Sequence, residues 1–144
     1  MRTNVWLIAG GVLSARAALL HLGIIFGGPA WYRFFGAGEE LARAAERGSA
    51  VPTVLTAGIA AVLFVWSAYA FAGAGLVRRL PLMRTALVLI SAIYLLRALW
   101  LPAALVTGGR VDAFLVWSSL IVLVYGVTYA LGAWQAWPAL TRRA

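Results

Sequence analysis

The sequence predicts an all-α fold, a four-helix transmembrane bundle with a short interfacial helix in its first loop. Hydrophobic residues make up 64% of the 144 residues and charged residues only 11%, far from the soluble average. Each of four apolar runs has the roughly 20 residues that cross about 30 Å of hydrocarbon. Seven Trp, five Tyr and six Phe suit a protein anchored at two lipid–water interfaces.

The apolar runs cover residues 5–26, 51–76, 82–106 and 113–134. Because 144 residues suit one domain and are short for two, we expect a single integral membrane domain over residues 1–144. The first run follows Arg2 and resembles a signal peptide. Cleavage after Ala17 would leave a stub too short to span, so we expect a retained helix.

Glycine and proline mark where the spans bend or end. The triplet at 27–29 is expected to end the first span, and Pro102 predicts a kink or an early end in the third. Pro138 is expected to stop the final helix. The first loop contains EELARAAER at 39–47, whose early acids and later arginines suit a short surface helix.

The distribution of charge indicates topology rather than nucleic-acid binding. The net charge is +8, and every basic residue is Arg, placed mostly at the ends of apolar runs. One side carries six arginines and no acid, namely Arg2, Arg78, Arg79, Arg84, Arg142 and Arg143. The other carries Arg33, Arg43, Arg47 and Arg110 together with all four acids. The excess of arginines on the side of the termini, six against four, favours both termini in the cytoplasm.

Two arginines lie inside apolar runs. Arg16 is at the centre of the first span and Arg97 in the outer half of the third. An arginine at the bilayer centre costs about 3 kcal/mol on insertion scales, so both are expected to face the bundle interior or an aqueous cavity. No acid lies mid-span to neutralise them; the candidate partners for Arg97 are Glu39 or Glu40 from the first loop and Asp112 from the adjacent helix end.

A polar pocket is expected in the outer half of the bundle, around Arg97. Trp100 lies three residues after Arg97 and can stack on its guanidinium. In the fourth span Ser118, Tyr125 and Tyr129 form one stripe, typical of a helix-packing seam. The candidate ligand-binding residues are Arg16, His21, Glu39, Tyr94, Arg97 and Trp100.

The composition gives little support for a catalytic or metal-binding site. There is no Cys, and one His with four scattered acids makes no metal-binding spacing. No G-x-S-x-G motif occurs and no carboxylate lies mid-span. We therefore expect no catalytic residue, no metal, no cofactor and no enzymatic activity.

The segments HLG…GPAWYRFFGAGEELA, FAGAGLVRRLPLMR and IYLLRAL resemble a group of small, uncharacterised four-span bacterial membrane proteins. The resemblance covers nearly the whole chain. It implies a multi-pass protein of the bacterial inner membrane and implies no activity. His21, residues 31–33, Glu39 and Arg97 lie in its most characteristic stretches.

These observations favour a non-enzymatic membrane protein that binds an anionic or amphipathic small molecule, or a lipid headgroup, in an outward-facing intramembrane pocket. One alternative is an accessory subunit of a larger membrane complex, in which a partner protein or a second copy supplies the counter-charge for Arg16. Another is a small oligomeric transporter. The direction in which Arg16 faces discriminates between the first two, since an outward side chain favours a partner.

Overall fold

The computed structural model describes residues 4–141. Over that range the chain forms helices joined by loops, with no strand. The helices are α1 (Val5–Phe34), α2 (Glu39–Glu46), α3 (Val51–Gly73), α4 (Met83–Ala98), α5 (Trp100–Thr107) and α6 (Ala113–Thr141). The arginines at positions 2, 142 and 143, on which the predicted orientation partly depends, lie outside the described residues.

Four stretches of the described chain are long and apolar enough to cross a membrane: Val5–Phe34, Val51–Gly73, Met83–Thr107 and Ala113–Leu140. Large apolar side chains are exposed along all of them, among them Phe26, Val54, Leu96 and Trp117. A soluble monomer rarely leaves such extensive apolar surface uncovered. The chain is therefore an integral membrane protein with four candidate spans, and the predicted all-α class and the short helix in the first loop, α2, are confirmed.

The expected interruptions near Pro29 and Pro102 are confirmed, although the first helix resumes after Gly28 and runs to Phe34 instead of ending at the triplet. In α1 the helical path is interrupted at Gly28, whose φ of 65° is favourable only for glycine; Pro29 then begins the last turns, where its missing N–H costs nothing. The third span divides at Leu99 into α4 and α5. Pro102 cannot donate to the carbonyl of Ala98, so the hydrogen-bond ladder ends there.

The expectation that Pro138 stops the last helix is wrong, because α6 continues to Thr141. Pro138 has no N–H to donate to the carbonyl of Trp134, so the helix loses one backbone hydrogen bond at this point without having to end. Here the Arg79 Nη2 donates to the carbonyl of Ala139 at 2.7 Å. A side-chain donor to a last-turn carbonyl stabilises a helix end, and it supports the turn beyond the proline.

The described chain divides into two compact units. Among the described residues, the first unit contains residues 4–13 and 66–141, and in it α4 packs along α6. The start of α1 is fixed here by Asn4, whose Oδ1 caps the helix by accepting from the Leu7 N–H at 3.1 Å. The Asn4 Nδ2 also donates to the Gly132 carbonyl of α6 at 2.7 Å, so one side chain both caps α1 and joins it to α6.

The second unit contains residues 14–65. Its apolar cluster consists of Ile24, Tyr32 and Ala42, with Phe35 and Ala45 packed against it. Ala42 lies on α2, so the cluster fixes that helix against the end of α1, and the Thr56 hydroxyl on α3 donates to the Tyr32 hydroxyl at 3.3 Å. Beyond α2, Gly48 has a φ of 73°, a left-handed conformation that suits the predicted end of the helix.

Candidate functional site

Arg97 is the most unusual polar side chain of the first unit. It lies in the last turn of α4 and is half-buried. Its Nη2 donates to Ser118 Oγ of α6 at 3.3 Å, and Ser118 in turn donates to the Leu115 carbonyl at 3.3 Å. Because the serine hydroxyl gives its proton to Leu115, its oxygen is free to accept from the guanidinium.

The other terminal nitrogen of Arg97, Nη1, is buried and has no hydrogen-bond partner among the described residues. Buried polar groups are nearly always paired, and a guanidinium inside a membrane span is costly without partners. The Arg97 Cζ lies 4.8 Å from the centroid of the Trp100 ring. This cation–π contact compensates the charge in part but supplies no acceptor for Nη1.

Asp112, which the sequence offers as a counter-charge for Arg97, has another role in the structure. Its Oδ1 accepts a hydrogen bond of 2.7 Å from the Leu115 N–H, which makes it the N-cap of α6. Asp112 is the only acid in residues 66–144. Between residues 4 and 141, no ion pair within 4.0 Å involves Arg97.

Tyr94 belongs to a buried aromatic cluster in the first unit. Its ring meets those of Trp66, Tyr125 and Tyr129 at centroid distances of 5.0, 5.3 and 5.7 Å. The stripe predicted on the fourth span thus faces α4, with Ser118 contacting Arg97 and both tyrosines contacting Tyr94. Tyr94 is therefore a buried core residue of α4. It lies three residues before Arg97 and stabilises that part of the helix through its aromatic contacts.

The remaining candidates lie in the second unit. Arg16 is exposed on α1, so the enclosed position expected for it is not observed, and no acid of the described range forms an ion pair with it. The His21 Nδ1 lies 2.7 Å from the Ala17 carbonyl, one turn earlier. Since the carbonyl only accepts, Nδ1 carries the proton, and a neutral ring then keeps Nε2 as an acceptor.

Glu39 is held within a local network of charges. Its carboxylate accepts from the Arg33 Nε at 2.9 Å and the Arg43 Nε at 3.1 Å, while the Arg33 Nη1 lies 2.8 Å from Glu46. Glu39 and Arg43 thus form an i,i+4 ion pair on α2. Arg33, the centre of the network, was missed as a candidate, because its six-residue separation from Glu39 crosses a loop and follows no helical spacing.

The hydrogen bonds from Arg33 and then Arg43 lower the pKa of the Glu39 carboxyl from 4.5 to about 2. A carboxyl with a depressed pKa stabilises the fold above its ordinary value, and that stability is lost as the pH falls through the folded pKa. We expect a Glu39→Gln variant to lose part of the stability at neutral pH and to change less between pH 4.5 and about 2 than the wild type.

The measurement is the unfolding midpoint in detergent across that pH range, with Glu40→Gln as the matched control. Glu40 is exposed on the same helix and takes part in none of the ion pairs of residues 4–141. The difference between the variants should shrink at high salt because the network is exposed. Identical profiles for the two variants would contradict a stabilising role for the network.

No protein-family model, curated protein or solved structure matches this chain. The resemblance to a bacterial four-span family, drawn from the sequence motifs, stays a prediction. What the helices establish is the coarser statement that this is a small membrane protein of four candidate spans. Within residues 4–141 no three His, Asp or Glu side chains gather closely enough to hold a metal ion.

Proposed function

We propose that this membrane protein binds an anionic oxygen-bearing group, such as the phosphate of a lipid headgroup, at Arg97, without catalysing a reaction. The observation that carries the proposal is the buried Arg97 Nη1, which lacks a partner in the described chain while Nη2 is held by Ser118. A guanidinium is a planar fork of N–H donors suited to carboxylate or phosphate, and an anion that binds Nη1 must displace the atoms that bury it.

The electrostatics of the first unit support an anion at this place. Its single acid, Asp112, caps α6. No other acidic side chain of the unit is available to form an ion pair with Arg97. The Trp100 ring holds one side of the guanidinium. A hydrogen bond to a charged group contributes about 1.5–3 kcal/mol, which makes an external anion a favourable partner for Nη1.

The test is native mass spectrometry of the protein released gently from membranes, followed by titration of delipidated protein with phosphatidylglycerol. We expect Arg97→Gln to weaken binding about tenfold or more, as the loss of one charged hydrogen bond implies. Arg110→Gln is the matched control, since it removes the same charge from an exposed loop position. Equal binding by both variants would exclude Arg97 as the site.

A parallel titration with inorganic phosphate separates the two sources of the anion. A lipid site responds to phosphatidylglycerol and only weakly to phosphate, because the acyl chains contribute contacts that free phosphate lacks. A site for a soluble anion responds to both, with the same dependence on Arg97. Absence of binding to either probe would overturn the proposal.

The second candidate function is that of a subunit in a membrane complex, and the exposure of Arg16 favours it. A charged side chain on an outer face near the middle of a span is costly in lipid and is expected to pair with another chain. Arg16→Leu should then dissociate a complex that the wild type forms in native mass spectra. A wild-type mass equal to one chain, unchanged in Arg16→Leu, would rule this role out.

The proposed location is the bacterial inner membrane, with both termini in the cytoplasm. The support is the arginine excess on the side of the 74–82 connection, which includes Arg78 and Arg79 and no acid. A reporter fused to the C-terminus should be active only when it is a cytoplasmic reporter. Activity of a periplasmic reporter at that end would reverse the topology.

A further inference from the structure

A groove of about 640 Å³ lies between α4 and α6. Four small side chains and two tryptophans of α6 form most of its lining, beside Val88 and Leu95 of α4; these six residues are Ser91, Ala92, Ala130, Ala133, Trp134 and Trp137. The Ser91 hydroxyl donates to the Leu87 carbonyl at 2.7 Å, so it is satisfied within its own helix. The groove is therefore apolar, in a volume range typical of ligand sites.

The groove is accessible from the outer surface of these helices. Trp134 is 76% exposed and Trp137 is 37% exposed. Because α4 and α6 both belong to candidate spans, the medium around an exposed apolar groove on them is the hydrocarbon of the bilayer. The lining extends over eight residues of α4, from Val88 to Leu95, which is about 10 Å along the helix and admits part of an acyl chain.

One end of the groove is cationic. The Arg84 Cζ lies 4.1 Å from the centroid of the Trp137 ring, and Arg84 is one helical turn before Val88 on α4. Arg79 reaches the same end of α6, through its hydrogen bond to the Ala139 carbonyl. Tryptophan and arginine together at a helix end are typical of the headgroup level of a bilayer.

Acidic side chains are scarce around Arg84. The sequence has no Asp or Glu from Arg47 to Val111 and none after Asp112, and Asp112 lies just before the start of α6, the end remote from Trp137. Within residues 4–141 no ion pair involves Arg84. The groove therefore ends at a positive charge that no described carboxylate neutralises, and basic pockets between membrane helices are the arrangement that binds anionic headgroups.

We infer that this groove binds an anionic phospholipid, with an acyl chain between α4 and α6 and its phosphate at Arg84. The site goes beyond the proposed function, because Arg84 and Arg97 are 13 residues apart on α4, about 20 Å along the helix. The charge selects an anionic lipid over a zwitterionic one, and the groove selects a lipid over a free phosphate.

The experiment uses two variants that act on different parts of the site. Arg84→Gln removes the headgroup charge and is expected to weaken phosphatidylglycerol binding about fivefold, the effect of one arginine near a membrane surface. Ala130→Leu fills the groove and should remove the bound lipid. Matched controls are Arg110→Gln for the charge and Ala61→Leu, at an exposed position of α3, for the added side chain.

Binding is measured by native mass spectrometry of delipidated protein titrated with phosphatidylglycerol, phosphatidylcholine or glycerol phosphate. Each variant is made in the wild-type chain and in the Arg97→Gln chain. If the two sites are independent, the binding free energies lost by the two substitutions add. A loss from Arg84→Gln in the Arg97→Gln background supports the groove whether or not Arg97 binds a ligand. If Ala130→Leu does not fold, Ala130→Val narrows the groove less drastically.

Three results would overturn the inference. One is unchanged phosphatidylglycerol binding in both Arg84→Gln and the groove-filling variant. Another is equal affinity for phosphatidylcholine, which would remove the role of charge. The third is equal affinity for glycerol phosphate, which would show that the groove contributes nothing.

Discussion

A Tyr129→Ala variant is expected to lose about 3–5 kcal/mol of unfolding free energy, the range for truncating a large buried aromatic. Tyr129 is fully buried on α6. Its ring contacts Tyr94, and its hydroxyl donates to the Trp66 carbonyl of α3 at 3.0 Å. A Cβ built on Gly10 of α1 would lie 2.9 Å from the Tyr129 ring, so the side chain packs against three other helices of the first unit.

The measurement is the unfolding free energy from denaturant titration in mixed micelles. Tyr129→Phe is the control that separates ring from hydroxyl, because it keeps the packing and removes one hydrogen bond. Such a bond contributes about 0.6 kcal/mol on average between membrane helices, so the phenylalanine variant should stay close to the wild type. A similar loss in both variants would mean that the hydroxyl, rather than the ring, determines the stability.

A Gly132→Ala variant is expected to destabilise the protein by about 1–3 kcal/mol, the usual effect of overpacking. A Cβ at this position would lie 2.6 Å from the Leu7 Cγ and 2.9 Å from the Leu7 backbone nitrogen. Leu7 is fully buried, and its backbone is held by the Asn4 cap. The α1 backbone must therefore move, and the hydrogen bond from Asn4 to the Gly132 carbonyl is strained with it.

Gly58→Ala on α3 is the matched control for Gly132→Ala. A Cβ at Gly58 would have no atom within 4 Å, and alanine favours a helix over glycine by about 0.5–1 kcal/mol. We therefore expect the two identical substitutions to have opposite signs. If Gly132→Ala is as stable as Gly58→Ala in denaturant titration, α1 and α6 do not approach as closely as the structure shows.

Most of the fold could be predicted from the sequence, because membrane helices are defined by length and apolarity. The predicted spans at 5–26, 51–76, 82–106 and 113–134 each correspond to an observed helical stretch. The helix at 39–46, the interruption at Gly28 and the break before Pro102 also follow from local residue chemistry. The exception is Pro138, where a donor from a distant loop, Arg79, supports the helix.

The candidate site was predicted less completely, because hydrogen-bond partners depend on which helices meet. The pairing of Arg97 with Trp100 follows from a three-residue spacing, and the inward stripe of Ser118, Tyr125 and Tyr129 from helical periodicity. The spacing gave no indication that Asp112 caps its own helix or that Arg33 joins Glu39 to Glu46. Both depend on the paths of loops.

The sequence by itself determined the membrane class, the number of spans and the deep position of two arginines, since these depend on composition and on counting residues along the chain. Only the tertiary structure decided that Arg16 is exposed while Arg97 has a buried, unpartnered nitrogen within the described chain. It also decided that small residues on α4 and α6 leave a groove beside Arg84. Counting residues along the chain places a residue within a span, whereas its burial and its hydrogen-bond partners depend on which helices pack against it.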